Sequence, residues 1–337
     1  MAERARRGDR IAVGEASLAK GDRIAVADTR LADGDWIAVD WGTTSMRARL
    51  VSGEGAIRAE APTGPGMGAL TPDAFEPALV SAIGPWLVGP WLDGVDRPVD
   101  VLVCGMAGAR QGWREAPYAS VPAALDALLS SAITVPTDDA RLAVRIVPGL
   151  SQADPPDVMR GEETQLLGLL VGNDLRDATV CLPGTHSKWV AIEDRRVIRF
   201  ATHMTGEIFA AIGGHTILRH SLGADEASDD EAFDEAVREA REVAGAVLDR
   251  LFGLRAAGLL GDVSAGRARS RLSGLLIGAE IAVALGADRP GTVHVVAAGP
   301  LAARYGRALD AFGVHACVHD GGALAVAGLA AMRQSAG

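Results

Sequence analysis

Asp40-Trp41-Gly42-Thr43-Thr44-Ser45-Met46-Arg47 and, in the second half of the chain, Leu182-Pro183-Gly184-Thr185-His186-Ser187-Lys188-Trp189 both place Gly-Thr-x-Ser directly after an apolar strand. Glycine lets the main chain approach a ligand closely, so that N–H groups can point at phosphate oxygens, and the hydroxyls add donors. Arg47 and Lys188 follow closely and supply positive charge; Lys188 is the only lysine after Lys20. The phosphate-binding set is therefore Gly42, Thr43, Thr44 and Arg47 from the first turn, and Gly184, Thr185, His186 and Lys188 from the second. Asp40 ends the first strand and has no counterpart in the second turn. One carboxylate plus waters suffices for a magnesium ion that bridges nucleotide phosphates. Alone, either turn reads as an ordinary hairpin connection. Matched in position, the two point to a triphosphate held across a cleft between two domains.

Outward from these turns the two halves repeat a plan. Strands are expected over 36–40, 45–52 and 56–61, a short-turn meander, with a helix opening at Thr71-Pro72-Asp73. A buried strand follows over 99–104, then a glycine-rich loop, a helix from about Pro122, a strand over 144–147 and a helix over 161–170. The second meander covers 179–182, 188–192 and 197–201, and helices follow it. The chain then alternates: helix 267–285, strand 292–297, helix 301–312, strand 314–318, helix 323–332. The organisation expected is an N-terminal extension over 1–33, one lobe over 34–172 and a second over 173–337. The extension carries Gly-Asp-Arg-Ile-Ala-Val twice, at 8–13 and 21–26, and the plain reading is a poorly ordered tail.

With 337 residues the chain is long enough for two domains at roughly 150 residues each. Hydrophobic residues at 48% and charged residues at 23% exclude a disordered chain, and a net charge of −10 argues against a nucleic-acid-binding surface. No apolar run reaches membrane-spanning length, and three scattered cysteines match no zinc or disulfide spacing, which suggests a reducing, cytoplasmic setting. Other phosphate motifs fail: there is no P-loop, and Gly64-x-Gly66-x-x-Ala69 is interrupted by Pro65 without a helix start at the required place. No Gly-x-Ser-x-Gly hydrolase elbow occurs.

Asp-x-Gly-Thr-Thr after a strand, a second Gly-Thr turn and a late Ala-Gly-Pro turn resemble the superfamily of sugar kinases, heat-shock chaperones and actin. Within it, several segments are similar to the 2-dehydro-3-deoxygalactonokinase family. They are Gly105-Met-Ala-Gly-Ala109 with Gly112-Trp113 and Ala116-Pro-Tyr118, Val158-Met-Arg-Gly-Glu-Glu-Thr-Gln165, Pro183-Gly-Thr-His-Ser-Lys-Trp-Val190, Met204-Thr-Gly-Glu207 and Ser273-Gly-Leu-Leu-Ile-Gly-Ala-Glu280. The likeness runs from about Trp36 to the C-terminus. It implies an α/β fold of two actin-like ATPase (ribonuclease H-like) domains around an interdomain cleft. It also implies ATP and Mg2+ as cofactors, and phosphorylation of the 6-hydroxyl of 2-dehydro-3-deoxy-D-galactonate. A kinase for another sugar acid, such as the gluconate epimer, and an ATP-driven switch remain alternatives, and a homodimer stays open.

The resemblance also assigns roles. Gly161-Glu162 resembles the Gly-Asp at which related kinases place a catalytic carboxylate, which makes Glu162 or its neighbour Glu163 the general base. Acids in a first helical turn also complement the helix dipole without any catalytic role. Arg160 suits bidentate recognition of the substrate carboxylate. Arg110, Gln111, Trp113, Glu115 and Tyr118 lie in or near the loop where related kinases contact their sugar, and Gly299-Pro300 resembles the nucleoside-contacting turn. Gly321-Gly322 suggests close packing at a domain hinge. Lastly, His315, Cys317 and His319 alternate and would share one strand face, a conceivable metal trio. The interleaved Val314, Ala316 and Val318 describe a half-buried strand equally well, and that plainer reading is preferred.

Overall fold

The computed structural model describes residues 31–88, 97–223, 228–242, 247–261, 263–286 and 289–335. The first two repeats, and nearly all of the extension expected over 1–33, lie outside these residues. A third, variant copy, Gly-Asp-Trp-Ile-Ala-Val at 34–39, enters the fold as the turn at Gly34 and the first strand.

The first half of the chain comprises β1 (Trp36–Trp41), β2 (Ser45–Val51), β3 (Ile57–Glu60), β4 (Gly64–Pro65), α1 (Phe75–Ile83), β5 (Val99–Gly105), β6 (Tyr118–Ser120), β7 (Ala123–Ala124), β8 (Ile133–Val135), β9 (Leu142–Ile146), β10 (Gly149–Ala153), β11 (Pro156–Met159) and α2 (Glu162–Gly172). The second comprises β12 (Ala178–Leu182), β13 (Ser187–Glu193), β14 (Arg196–His203), α3 (Thr205–His215), α4 (Asp230–Glu242), α5 (Val247–Leu260), α6 (Ala265–Leu285), β15 (Thr292–Val296), α7 (Gly299–Ala311), β16 (His315–His319) and α8 (Gly321–Ser335). The first sheet runs β3-β2-β1-β5-β9-β8 and the second β16-β15-β12-β13-β14-β7. In both, an antiparallel meander is extended on its first strand by two parallel strands: β5 and β9 in one, β15 and β16 in the other. This is the doubled actin-like plan that the resemblance implies.

Side-chain alternation decides what faces the space between the lobes. Along β1, Ile37, Val39 and Trp41 pack outward with Phe75, Leu79 and Ile83 of α1, while Trp36 and Ala38 pack inward. Along β12 and β13, Cys181 and Trp189 pack outward, while Val180, Leu182, Val190 and Ile192 pack inward. By the same period, Asp40 and Lys188 emerge on the two inner faces.

Between the sheets lie α2 and α8, and one apolar core joins residues of both lobes around them. The two helices cross on glycine. A Cβ on Gly168 would sit 2.0 Å from Leu324 O, and one on Gly328 would sit 1.9 Å from Thr164 O. The glycines marked in advance, Gly321 and Gly322, are less crowded: their nearest neighbours would be Gln165 Nε2 at 3.1 Å and Arg49 Nη2 at 3.0 Å. Arg49 on β2 donates to Gly322 O at 3.3 Å, and Arg333 donates to Asp100 on β5 at 3.1 Å, so α8 is tied to the first sheet at both ends.

The helix expected from Pro122 does not form. Ala123–Ala124 pairs instead with β14 at the edge of the second sheet, and Leu125, Leu128 and Leu129 bury in the shared core. Interlobe packing overrides a helix-favouring local sequence here.

Candidate active site

Both Gly-Thr turns open into one cleft of about 520 Å³ between the lobes; Asp40, Gly42 and Thr43 line it from one side, and Gly184, Thr185, His186 and Lys188 from the other. Each turn is held from behind. The carbonyls of Gly42, Thr43 and Thr44 accept N–H bonds from Met67 (3.1 Å), Gly68 (2.9 Å) and Gly66 (3.2 Å). Thr185 O accepts the Glu207 N–H at 3.0 Å, at the start of α3. Each backing segment brings a glycine against the turn. A Cβ on Gly66 would lie 2.3 Å from Ser45 N, and one on Gly206 would lie 2.4 Å from Gly184 O. Among the described residues, the N–H groups of Thr43, Thr44, Gly184, Thr185 and His186 have no hydrogen-bond partner. Five backbone donors are thus left for an anion.

Neither Gly66 nor Gly206 was assigned a part from sequence, because a glycine that backs a turn carries no chemistry of its own. The Gly64-x-Gly66 motif was the signal available, and its meaning is support for the first turn rather than a dinucleotide site.

Asp40, Glu162 and Lys188 converge on the cleft. Burial raises the Asp40 pKa, opposed by Arg47, whose Nη1 lies 3.9 Å from its carboxylate, and by Arg49. Glu162 begins α2, where Gly161 (φ 107°) packs on Gly105: a Cβ on Gly161 would be 3.1 Å from Gly105 Cα. The Glu162 Oε2 accepts the Arg160 N–H at 2.9 Å. Burial raises its pKa, the Lys188 charge opposes this, and the Asp40 charge adds to it. Lys188 is only 6% exposed, and its ammonium group has no hydrogen bond or ion pair among the described residues.

Glu163 is elsewhere. It is fully buried, accepts the Gly161 N–H at 2.7 Å and the Thr164 hydroxyl at 3.1 Å, and is absent from the cleft wall. Burial, reinforced by the neighbouring Glu162 charge, pushes its pKa up to about 8.

Arg160 is 9% exposed and lines the cleft. Its Nη2 donates to Ala116 O at 2.8 Å and its Cζ lies 4.2 Å from the centre of the Tyr118 ring, which also lines the cleft. Its Nε and Nη1 are buried without a partner. Unpaired guanidinium donors in a buried place are costly unless an anionic acceptor arrives.

The remaining expected residues lie apart. Thr44 and Arg47 are exposed beside the first turn rather than on the cleft wall, and Arg110, Gln111 and Glu115 are exposed on the loop after β5. Trp113 packs against Trp41 and Phe75, with ring centres 6.0 and 6.1 Å away, in the first lobe's outer core. Gly299 (φ 59°) opens α7, near a smaller crevice of about 80 Å³ that meets the main cleft at Gly184. Phe209, Ile277, Leu301 and Arg304 line that crevice; Ile277 belongs to the segment 273–280 quoted for the resemblance, and the other three were not singled out by the sequence. Behind it, Ser187 Oγ and Tyr305 OH are 2.9 Å apart, while Tyr305 OH and Trp189 Nε1 each donate to Glu280 at 2.8 Å. This buried network fixes β13, and with it the second turn, to α6 and α7. Burial and the Glu280 charge raise the Tyr305 pKa.

β16 is a half-buried strand, the preferred reading of its alternating residues, and His315, Cys317 and His319 do not gather as a trio. His315 is exposed, and His294 of β15 takes its place beside Cys317 and His319, with the three ligand atoms within 4.8 Å of one another. The register explains the exchange: His294 pairs with Cys317, whereas His315 pairs with Thr292.

A family model described as 2-keto-3-deoxy-galactonokinase matches residues 40–332. The chain is 41% identical over 300 residues to a Rhizobium meliloti protein named a probable 2-dehydro-3-deoxygalactonokinase, covering 87% of this chain and 94% of that one. It is 33% identical over 283 residues to the 2-dehydro-3-deoxygalactonokinase of Escherichia coli, covering 82% and 89% respectively. A crystal structure of a Sinorhizobium meliloti protein described as a 2-dehydro-3-deoxygalactonokinase superposes with a TM-score of 0.79 at 40% identity, covering 89% of this chain and 96% of that one. With two glycine turns on one cleft and likeness along nearly all of its described length, the chain belongs to the 2-keto-3-deoxy-galactonokinase family.

Proposed function

We propose that this chain transfers the γ-phosphoryl group of ATP to the 6-hydroxyl of 2-dehydro-3-deoxy-D-galactonate, giving the 6-phosphate in galactonate breakdown. The observation that carries this reading is that one cleft collects both Gly-Thr turns, Asp40, Glu162, Lys188 and the unpaired guanidinium of Arg160. Transfer to an alcohol asks mainly for positioning, charge neutralisation and an acceptor for the hydroxyl proton. The free N–H groups of Thr43, Gly184, Thr185 and His186 on the cleft wall bind the phosphates, and Lys188 supplies a buried positive charge. A magnesium ion fits the cleft wall at Asp40, the carboxylate beside the first turn, and when bound it neutralises phosphate charge. The crevice between α3, α6 and α7 takes the nucleoside, with Phe209 and Leu301 as apolar walls.

Glu162 accepts the proton of the attacking hydroxyl. Burial raises its pKa, which makes it a better base than an exposed carboxylate while the nearby Lys188 charge favours the ionised form. Arg160, on the cleft wall, receives the substrate carboxylate, its side chain held in place by Ala116 O and the Tyr118 ring. Closure of the lobes excludes water, which otherwise competes as acceptor. The unpaired thiols of Cys104, Cys181 and Cys317 are in keeping with a reducing, cytoplasmic setting.

The test is ADP release, measured by a coupled assay against 2-keto-3-deoxy sugar acids, with neutral sugars as controls. The galactonate-derived acid is expected to give the highest kcat/KM, neutral sugars none, and Arg160→Ala a raised KM for the acid with little change in that for ATP. ADP release indifferent to any sugar acid would overturn the assignment.

A further inference from the structure

We propose that His294, Cys317 and His319 form a binding site for a zinc-class divalent metal at the edge of the second sheet. Parallel pairing of β15 with β16 sets His294 against Cys317 and Val296 against His319, so all three side chains share the inner face. His294 Nδ1 and His319 Nε2 are 3.0 Å apart, and the three ligand atoms fall within 4.8 Å of one another. Zinc binds imidazole nitrogen at ~2.0–2.1 Å and thiolate sulfur at ~2.3 Å, so one ion can reach all three after small side-chain adjustments. Two imidazoles and a thiolate suit zinc, whereas magnesium and calcium require oxygen donors. All three residues are half-buried, which leaves a fourth position open to water. On coordination the Cys317 thiol passes its proton to solvent and the metal keeps its oxidation state. This site is separate from Asp40. Yet Val296, the cross-strand partner of His319, lines the nucleotide cleft, so an ion here would brace the strands behind it.

The competing explanation is an imidazole–imidazole hydrogen bond with no metal and no part for Cys317. Full-length protein stripped of metal is titrated with Zn2+ against a chromophoric chelator, and separately with Co2+, whose spectrum reports thiolate ligation. Wild-type protein is expected to bind one Zn2+ per chain and to show a sulfur-to-cobalt charge-transfer band. Cys317→Ser and His319→Ala are expected to weaken Zn2+ binding by more than about 100-fold, beyond the loss of an outer-shell partner. His315→Ala should leave it unchanged. Absence of the cobalt band in the wild type, or Zn2+ binding that Cys317→Ser does not alter, overturns the site. The cobalt spectrum of the wild type decides the matter even where a variant fails to fold.

Discussion

Glu162 and Glu163 are neighbours in sequence and opposites in setting. Successive residues of a helix point about 100° apart, so when one reaches the cleft the other turns into the core. Glu162→Gln is expected to lower kcat by about 10²–10⁴-fold, the usual contribution of a general base, with KM for ATP changed only a few-fold. Initial-rate kinetics check it, and kcat near wild type would return the role to Glu163 or remove it. Glu163 makes a different prediction, in stability. Its pKa rises from 4.5 to about 8 on folding, so between these values the folded chain holds a proton that the unfolded chain has released. Its contribution is complete below pH 4.5 and is lost as pH rises toward 8. Glu163→Gln is expected to flatten the fall in melting temperature over that range, and an unchanged slope in thermal melts recorded by pH would show that the carboxyl is not protonated.

At the scale of elements, the shared device is a glycine pressed against main chain. Gly66 and Gly206 let a backing segment take up the turn carbonyls, which leaves turn N–H groups free for ligand. Gly168 and Gly328 let α2 and α8 cross so closely that no other residue fits. Because the neighbour at Gly328 is a carbonyl oxygen rather than a flexible side-chain end, Gly328→Ala must push the helices apart. Overpacking commonly costs ~1–3 kcal/mol, and the upper end is expected here. Urea denaturation measures that loss. Turnover should fall as well, since α2 carries Glu162 to the cleft wall.

For the whole molecule, the cleft carries Asp40 and Glu162 on one wall and Lys188 on the other, so the proposed transfer asks the lobes to approach. The radius of gyration in small-angle scattering is expected to shrink when a non-hydrolysable ATP analogue, Mg2+ and the sugar acid are all present. Glu162→Gln should shrink equally, because it removes a proton acceptor and no joint between the lobes. A radius that stays constant with all ligands bound would mean that the two sheets are already in their working positions.

Both meanders, the order of the later strands and helices, and the matched turns were legible in the chain, because they rest on local periodicity and on glycine and hydroxyl chemistry at strand ends. Asp40 and Lys188 were legible for the same reason: a period of two fixes their faces. Interlobe distance could not be read this way. Only packing across the molecule drew 123–124 into the second sheet instead of a helix, set His294 rather than His315 beside Cys317 and His319, packed Trp113 against the outer core away from the cleft, and left Arg160 with two donors and no acceptor. Those outcomes depend on pairing register and on which surface meets which across the fold, and residues far apart in sequence set both.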